Sequence, residues 1–193
     1  MSAILEIEIK LPVADVEHSA RQLLRLGAEP VEERTFEENW VFDFPDRRLR
    51  AAGRMIRLRT TGTRSRLTLK EKIAGTAGGE YKVRRERETE ISDGDTFHHL
   101  AALLGLVVSY RYQKFRRTYR NDGLLITLDE LPIGVWIELE GRPEAIDAFA
   151  ARLGFGRSDY LTVTYRVLHE QFMRREGMAG EPIEMLFAGP NAT

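Results

Sequence analysis

Several stretches of this chain place charged side chains at every second position. Glu6, Glu8 and Lys10 alternate with Ile7 and Ile9; Arg57 and Arg59 flank Leu58; Glu138 and Glu140 flank Leu139. Residues at i and i+2 of a strand project from the same face, so each set points one way together. The same parity gathers Thr68, Lys70 and Lys72, then Arg84, Glu86, Glu88 and Glu90, then Lys114 and Arg116, then Thr127 and Asp129. On one strand such a face means no more than contact with water. Here whole strands carry mostly one sign, and the acidic pairs recur as Glu-x-Glu. Carboxylate pairs are hard oxygen ligands suited to Mg²⁺ or Mn²⁺. Arginine and lysine sets hold phosphates through charge-assisted hydrogen bonds. Carboxylates for a metal and cations for a polyphosphate together make a phosphoryl-transfer site.

These strands must be arranged so that the charged faces meet. If the sheet closes into a barrel, its apolar face packs against helices outside and its charged face lines the interior. Two like charges about 6 Å apart repel by roughly 3 kcal/mol at an effective dielectric near 20. Cations facing one another inside therefore call for a neutralising ligand.

The periodicity predicts the elements that do this. Strands are expected over Ile4–Leu11, Val31–Phe44, Met55–Thr60, Arg66–Lys72, Tyr81–Ile91, Val107–Arg120, Leu124–Leu131 and Val135–Glu140. Helices are expected over Val13–Leu26, Asp93–Leu104, Pro143–Leu153 and Thr162–Arg175. Asp122-Gly123 is a hairpin signal, and the glycine-rich run Gly75–Gly79 reads as a hairpin loop, since it precedes a strand and not a helix. Mostly hairpin-connected strands with a few helices predict an antiparallel α+β domain over residues 1–176. Residues 177–193, rich in Gly, Ala and Pro, read as a loosely ordered tail.

Composition narrows the function classes. The chain of 193 residues carries 29 Lys plus Arg against 30 Asp plus Glu, a formal charge of -1, which argues against a generally basic nucleic-acid binder. No cysteine is present, so disulfides, cysteine-ligated metals and thiol catalysis are excluded. The longest largely apolar stretch, Leu100–Val108, is far short of the roughly 20 residues of a membrane helix. The acidic N-terminal residues do not read as a signal peptide, and a cytoplasmic protein is expected.

With these residues in view, the chain resembles the CYTH proteins, also called triphosphate tunnel metalloenzymes. Glu6-Ile7-Glu8-Ile9-Lys10 matches the family's ExExK signature. The likeness continues through Asn39–Asp43, Met55–Arg59, Leu67–Lys70, Lys114–Arg116 and Asp129–Glu140, in the family's order. The resemblance implies an eight-stranded antiparallel tunnel with helices outside. By family role, Glu6, Glu8 and Glu140 would be the principal metal ligands, with Asp129 and Glu138 further carboxylates around the metals. Arg57, Arg59, Lys70, Lys114 and Arg116 would clamp the triphosphate. Lys10 would lie near the reacting phosphate, and a carboxylate near Asp129 would help position water. Lys72, Arg84, Glu86 and Glu88 share the inward parity and join the candidate set.

The resemblance covers class IV adenylate cyclases, thiamine triphosphatases and inorganic triphosphatases. Class IV cyclases often carry His-Phe before ExExK, and this chain does not. Where many relatives have Lys-Ser-Tyr it reads Val163-Thr164-Tyr165, and Asn39 is closer to the triphosphatase style. These departures favour a metal-dependent triphosphatase acting on inorganic, thiamine or nucleoside triphosphate. The alternatives are an adenylate cyclase, a non-catalytic polyphosphate-binding module and a protein-interaction sheet. The expected partner is a small triphosphate, with no nucleic acid or membrane, and the chain would be a monomer or homodimer. His18, His98, His99 and His169 lack metal-ligand spacing, and Trp40 and Trp136 read as packing residues. Arg47, Arg48 and Arg50 read as a solvated turn near the tunnel mouth.

Overall fold

The computed structural model describes residues 3–75 and 79–188. Part of the Gly75–Gly79 loop therefore lies outside the described residues.

The alternating stretches form β1 (Ile4–Val13), β2 (Glu29–Asp43), β3 (Arg54–Thr61), β4 (Arg64–Lys72), β5 (Lys82–Ile91), β6 (Val107–Asn121), β7 (Leu124–Leu131) and β8 (Gly134–Glu140). Their order in the sheet is β2-β3-β4-β5-β1-β8-β7-β6, and β2 also pairs with β6, which closes an eight-stranded barrel. Every pairing around the barrel is antiparallel. At the β6–β7 hairpin, Asp122 and Gly123 have φ of 43° and 82°. Two left-handed residues in succession match the twist of the flanking strands, which is why Asp-Gly fits there.

The helices are set by caps and by apolar spacing. Asp15 caps α1 (Val16–Arg25), Asp93 caps α3 (Gly94–Leu103) and Thr164 caps α5 (Tyr165–Arg175). Pro143 opens α4 (Pro143–Leu153), where a missing N–H costs nothing. A short α2 (Arg48–Ala51) replaces the expected solvated turn.

Apolar residues of the strands face outward. Ile9, Leu11, Ile126, Leu128, Ile137 and Leu139 are fully buried against Leu23 of α1 and Ile146, Phe149 and Ala150 of α4. Phe42 and Leu58 meet Ala101 of α3, where His98 lies edge-on to Trp40. A third cluster joins α5 to the barrel. Tyr110, Tyr112, Leu131 and Trp136 pack there with Tyr165 and Leu168 of α5.

The segment after α5 differs from the loose tail its composition suggests. β7 pairs with β6 only from Phe115 onward, leaving the β6 edge free at Arg111 and Tyr112. The short strand β9 (Glu184–Met185) takes that edge in parallel. Met185 is buried in the aromatic cluster, and the Phe187 ring lies 5.2 Å from that of Phe115. Backbone pairing and one buried side chain decide this, and neither is visible in composition.

Ile137→Ala should lower unfolding stability by about 2–5 kcal/mol, the usual cost of truncating a fully buried aliphatic side chain. Urea denaturation measures it; a loss under about 1 kcal/mol would mean the outer face of the barrel is not the core.

Candidate active site

The barrel encloses a cavity of about 1000 Å³. Strand parity decides what lines it. From β1 come Glu6, Glu8 and Lys10; from β3, Arg57 and Arg59; from β4, Lys70 and Lys72; from β5, Arg84, Glu86 and Glu88; from β6, Lys114 and Arg116; from β8, Glu138 and Glu140. All of these were expected from the sequence. Asp129 is the exception. It is fully buried beneath the side chains that line the cavity, where its carboxylate accepts from Lys114 Nζ at 2.8 Å, from Arg116 at 2.6 Å and from the Tyr165 hydroxyl at 2.7 Å.

The cations are not left facing one another. Lys10, almost wholly buried, sits 2.8 Å from both Glu8 and Glu138. Lys70 bridges Glu6 and Glu86, and Lys82 pairs with Glu8. Arg57 lies 3.6 Å from Glu88 and reaches Thr68 and the Tyr112 hydroxyl. Arg59 and Lys114 each stand 3.3 Å from Glu37. Arg116 spans Asp129 and Glu138 at 2.6 Å each. The sequence reading required a ligand to neutralise the cations; the structure neutralises them with carboxylates, some directly opposite in register, as Glu138 is to Lys10, and others farther round the wall, as Glu88 is from Arg57. Among the described residues, Arg84 and Lys72 have no carboxylate partner, and Arg84 donates only to the Val83 carbonyl.

The sequence reading missed Lys82 and Glu37. Lys82 shares the parity of Arg84 and could have been found that way; Glu37 lies two residues from Asn39 on the inward face of β2. Tyr112 and Tyr165 were also not recognised as site residues, because they bring a hydroxyl to the clamp from an aromatic cluster.

Electrostatics separate two groups of carboxylates. Burial alone would raise Glu8, but Lys10 and Lys82 outweigh it and hold the carboxyl well below its usual range. Glu37 is held low in the same way, by Arg59 and Lys114 against burial. Glu140 behaves oppositely. Burial, with Glu6 beside it, pushes it up to about 7, and burial likewise pushes Glu86 up to about 7 despite Lys70. Glu140 makes no ion pair or side-chain hydrogen bond among the described residues, and it stands directly opposite Glu8 in the β1–β8 register. The Glu6 Oε2 atom is buried without a hydrogen-bond partner.

These observations fit a divalent cation. No three acidic or histidine side chains among the described residues stand close enough together to make a ready-made ligand set, because Glu6 and Glu8 are held by lysines. An orphaned buried carboxylate oxygen and a neighbouring glutamate that resists ionisation are nevertheless what a hard cation would satisfy. Glu6, Glu8 and Glu140 are the residues that would hold it.

The result is a closed antiparallel barrel whose interior is lined with paired charges. The CYTH domain profile matches residues 5–162, and the chain belongs to the CYTH family. This is an enzyme family of triphosphatases and adenylate cyclases, generally dependent on divalent metal. A Methanocaldococcus jannaschii protein provisionally named an adenylate cyclase is 26% identical over 141 residues, covering 70% of this chain and 76% of that protein. A solved structure from Vibrio parahaemolyticus, also provisionally named an adenylate cyclase, aligns with a TM-score of 0.76 at 20% identity, over 88% of this chain and 99% of its own. A Hippeastrum protein aligns with a TM-score of 0.58 at 17% identity, over 93% of this chain and 98% of its own. That structure is described as an adenylyl cyclase candidate with a dominant triphosphatase activity. Among the described residues no helix is long and apolar enough to cross a membrane.

The raised Glu140 carboxyl has a thermodynamic consequence. Its folded-state pKa lies above the unfolded value of 4.5, so the folded protein holds the proton more tightly. Its contribution to stability is greatest below about pH 4.5 and is lost as pH rises toward 7. Glu140→Gln should therefore melt several degrees above wild type at pH 8, with the difference vanishing near pH 4. Saturating Mg²⁺ or Mn²⁺ should narrow the gap at pH 8. A pH-independent difference in thermal melts would mean that Glu140 ionises freely in the fold.

Proposed function

We propose that this protein is a divalent-metal-dependent triphosphatase that binds its substrate's phosphates in the tunnel. The observation that carries the reading is the pairing inside the barrel: each clamp cation rests on a carboxylate that a phosphate oxygen can replace. The Hippeastrum relative's described activity supports hydrolysis.

Arg57, Arg59, Arg116, Lys70 and Lys114 bind the triphosphate oxygens and absorb charge as the terminal bond breaks. Arg84 has no carboxylate to leave and is free to take a phosphate directly. Lys10, held charged by Glu138 and Glu8 against burial, supplies a fixed positive charge beside the reacting group. Asp129, tied to Tyr165, keeps Lys114 and Arg116 in place and thus acts as a positioning residue. A divalent cation at Glu6, Glu8 and Glu140 would neutralise phosphate charge and lower the pKa of the attacking water. Water attacks the terminal phosphorus in line with the bridging oxygen. The P–O bond breaks, the electron pair leaves with the diphosphate side, and orthophosphate is released.

The aromatic groups favour recognition of phosphate over base. Trp40 is turned outward onto His98, and Trp136 packs edge-on against Tyr165 at 5.7 Å, within the aromatic cluster. Neither is free to stack on a nucleobase. The second reading, cyclisation of ATP to cyclic AMP and pyrophosphate, is favoured by the names given to the M. jannaschii and V. parahaemolyticus relatives.

Incubation with inorganic triphosphate, ATP or thiamine triphosphate, each with Mg²⁺ or Mn²⁺, separates the readings by product. Orthophosphate release is expected. Glu8→Gln should lower kcat about 100-fold or more, the scale of losing a transition-state charge partner. Cyclic AMP with pyrophosphate as the products from ATP would overturn hydrolysis in favour of cyclisation.

A further inference from the structure

Outside the tunnel wall, one cluster of charge is assembled from three separate parts of the chain. Arg47 and Arg50 come from the start of α2, Arg166 from the first turn of α5, and Glu181 from the segment leading to β9. The Glu181 carboxylate pairs with Arg47, lies 3.6 Å from Arg166 and 4.0 Å from Arg50. Glu170 also takes Arg50 at 3.1 Å and Arg166 at 3.3 Å. Arg166 donates to the Ser109 carbonyl at 3.1 Å, yet its Nη2 atom is buried with no hydrogen-bond partner. Both Arg50 and Arg166 line the tunnel cavity, and the Arg50 side chain is 45% exposed. The cavity therefore reaches solvent beside α5, through this cluster.

Three arginines face two carboxylates here, and Glu181 is the one in solvent, its side chain 54% exposed. An ion pair in that position is weak and exchanges readily. Its anchor is firm by contrast, because Met185, four residues on, is buried in the aromatic cluster. Arg47 is also held with a left-handed backbone, φ 60°, which is uncommon for a residue that is not glycine. A carboxylate on a tethered arm thus covers a forked set of guanidinium groups, and forked guanidinium groups suit tetrahedral oxyanions.

We propose that Arg47, Arg50 and Arg166 form a second oxyanion site at this mouth of the tunnel, taking a phosphate group, and that Glu181 is its built-in competitor. The site is separate from the clamp of Arg57, Arg59, Lys70, Lys114 and Arg116 but opens into the same cavity. Phosphate entering or leaving beside α5 displaces Glu181, while Met185 keeps the arm in place for its return. The proposal rests on the tunnel being a phosphate-binding site.

Calorimetric titration with orthophosphate and, separately, with inorganic triphosphate tests it, in low-salt buffer containing a chelator so that no turnover occurs. Glu181→Gln should bind orthophosphate about two- to fivefold more tightly than wild type, the worth of one exposed ion pair. Adding Arg50→Ala or Arg47→Ala, both at exposed positions, should erase the gain. The same gain with triphosphate assigns the site to a phosphate of the substrate; a gain confined to orthophosphate assigns it to free phosphate. Unchanged affinity in Glu181→Gln, or a gain that survives loss of both exposed arginines, would overturn the proposal. Triphosphate affinity indifferent to Arg57→Ala would instead undo the tunnel reading and leave the rim result standing.

Discussion

Charge buried in a closed barrel must be compensated, and the interior of this protein is organised by that requirement. An isolated ion in a low-dielectric interior costs several kcal/mol even after relaxation. The barrel meets the demand by setting acidic and basic residues where strands bring them together, and several partners are register neighbours: Lys10 lies opposite Glu138, Lys70 opposite Glu86 and Arg116 opposite Asp129. Removing one partner of such a pair strands the other, which typically costs about 3–5 kcal/mol. The tunnel is therefore held in a charged but balanced state. An ion entering by exchange of partners would not have to supply all the neutralisation itself.

Asp129 links this exchange to the rest of the molecule. It receives Lys114 and Arg116 from β6 and the hydroxyl of Tyr165 from α5. Through Tyr165, α5 therefore touches the cations of the cavity both by way of this buried carboxylate and directly, with the Lys10 and Lys114 ammonium groups 5.1 and 5.5 Å from its ring centroid. Tyr165 also packs on Trp136 and Tyr112. A residue of the aromatic cluster thus also helps fix the orientation of two cations that line the cavity.

Much of this was legible in the sequence because strand parity is strict. Once Ile7 and Ile9 face outward, Glu6, Glu8 and Lys10 must face inward, and the same logic placed the candidate residues on β3, β4, β5, β6 and β8. Pro143 and Asp93 marked helix starts through local chemistry that needs no tertiary context. What was not legible depends on contacts distant in the chain. Periodicity does not reveal that Glu37 would answer Arg59 and Lys114, because the β2–β6 register is set only when the barrel closes. Asp129 has the inward parity but does not reach the cavity, since Lys114, Arg116 and Tyr165 cover it. The expectation of unbalanced cations failed for the same reason: charges sorted along each strand become mixed across strands.

The place of β1 in the sheet has a further consequence. The first strand of the chain lies between β5 and β8, and past Glu8 its outer edge is met by Leu161, whose backbone bonds that of Lys10 at 2.9 Å in both directions. During synthesis β1 is made well over a hundred residues ahead of β8, its partner along Glu8–Val13. Pairings of such long sequence separation are slow to form, and they leave strand edges open in the meantime. The strand bearing Glu6, Glu8 and Lys10 is thus among the last to be enclosed. The cavity these residues line does not exist until the barrel is finished, and β1 is the segment most in need of protection until then.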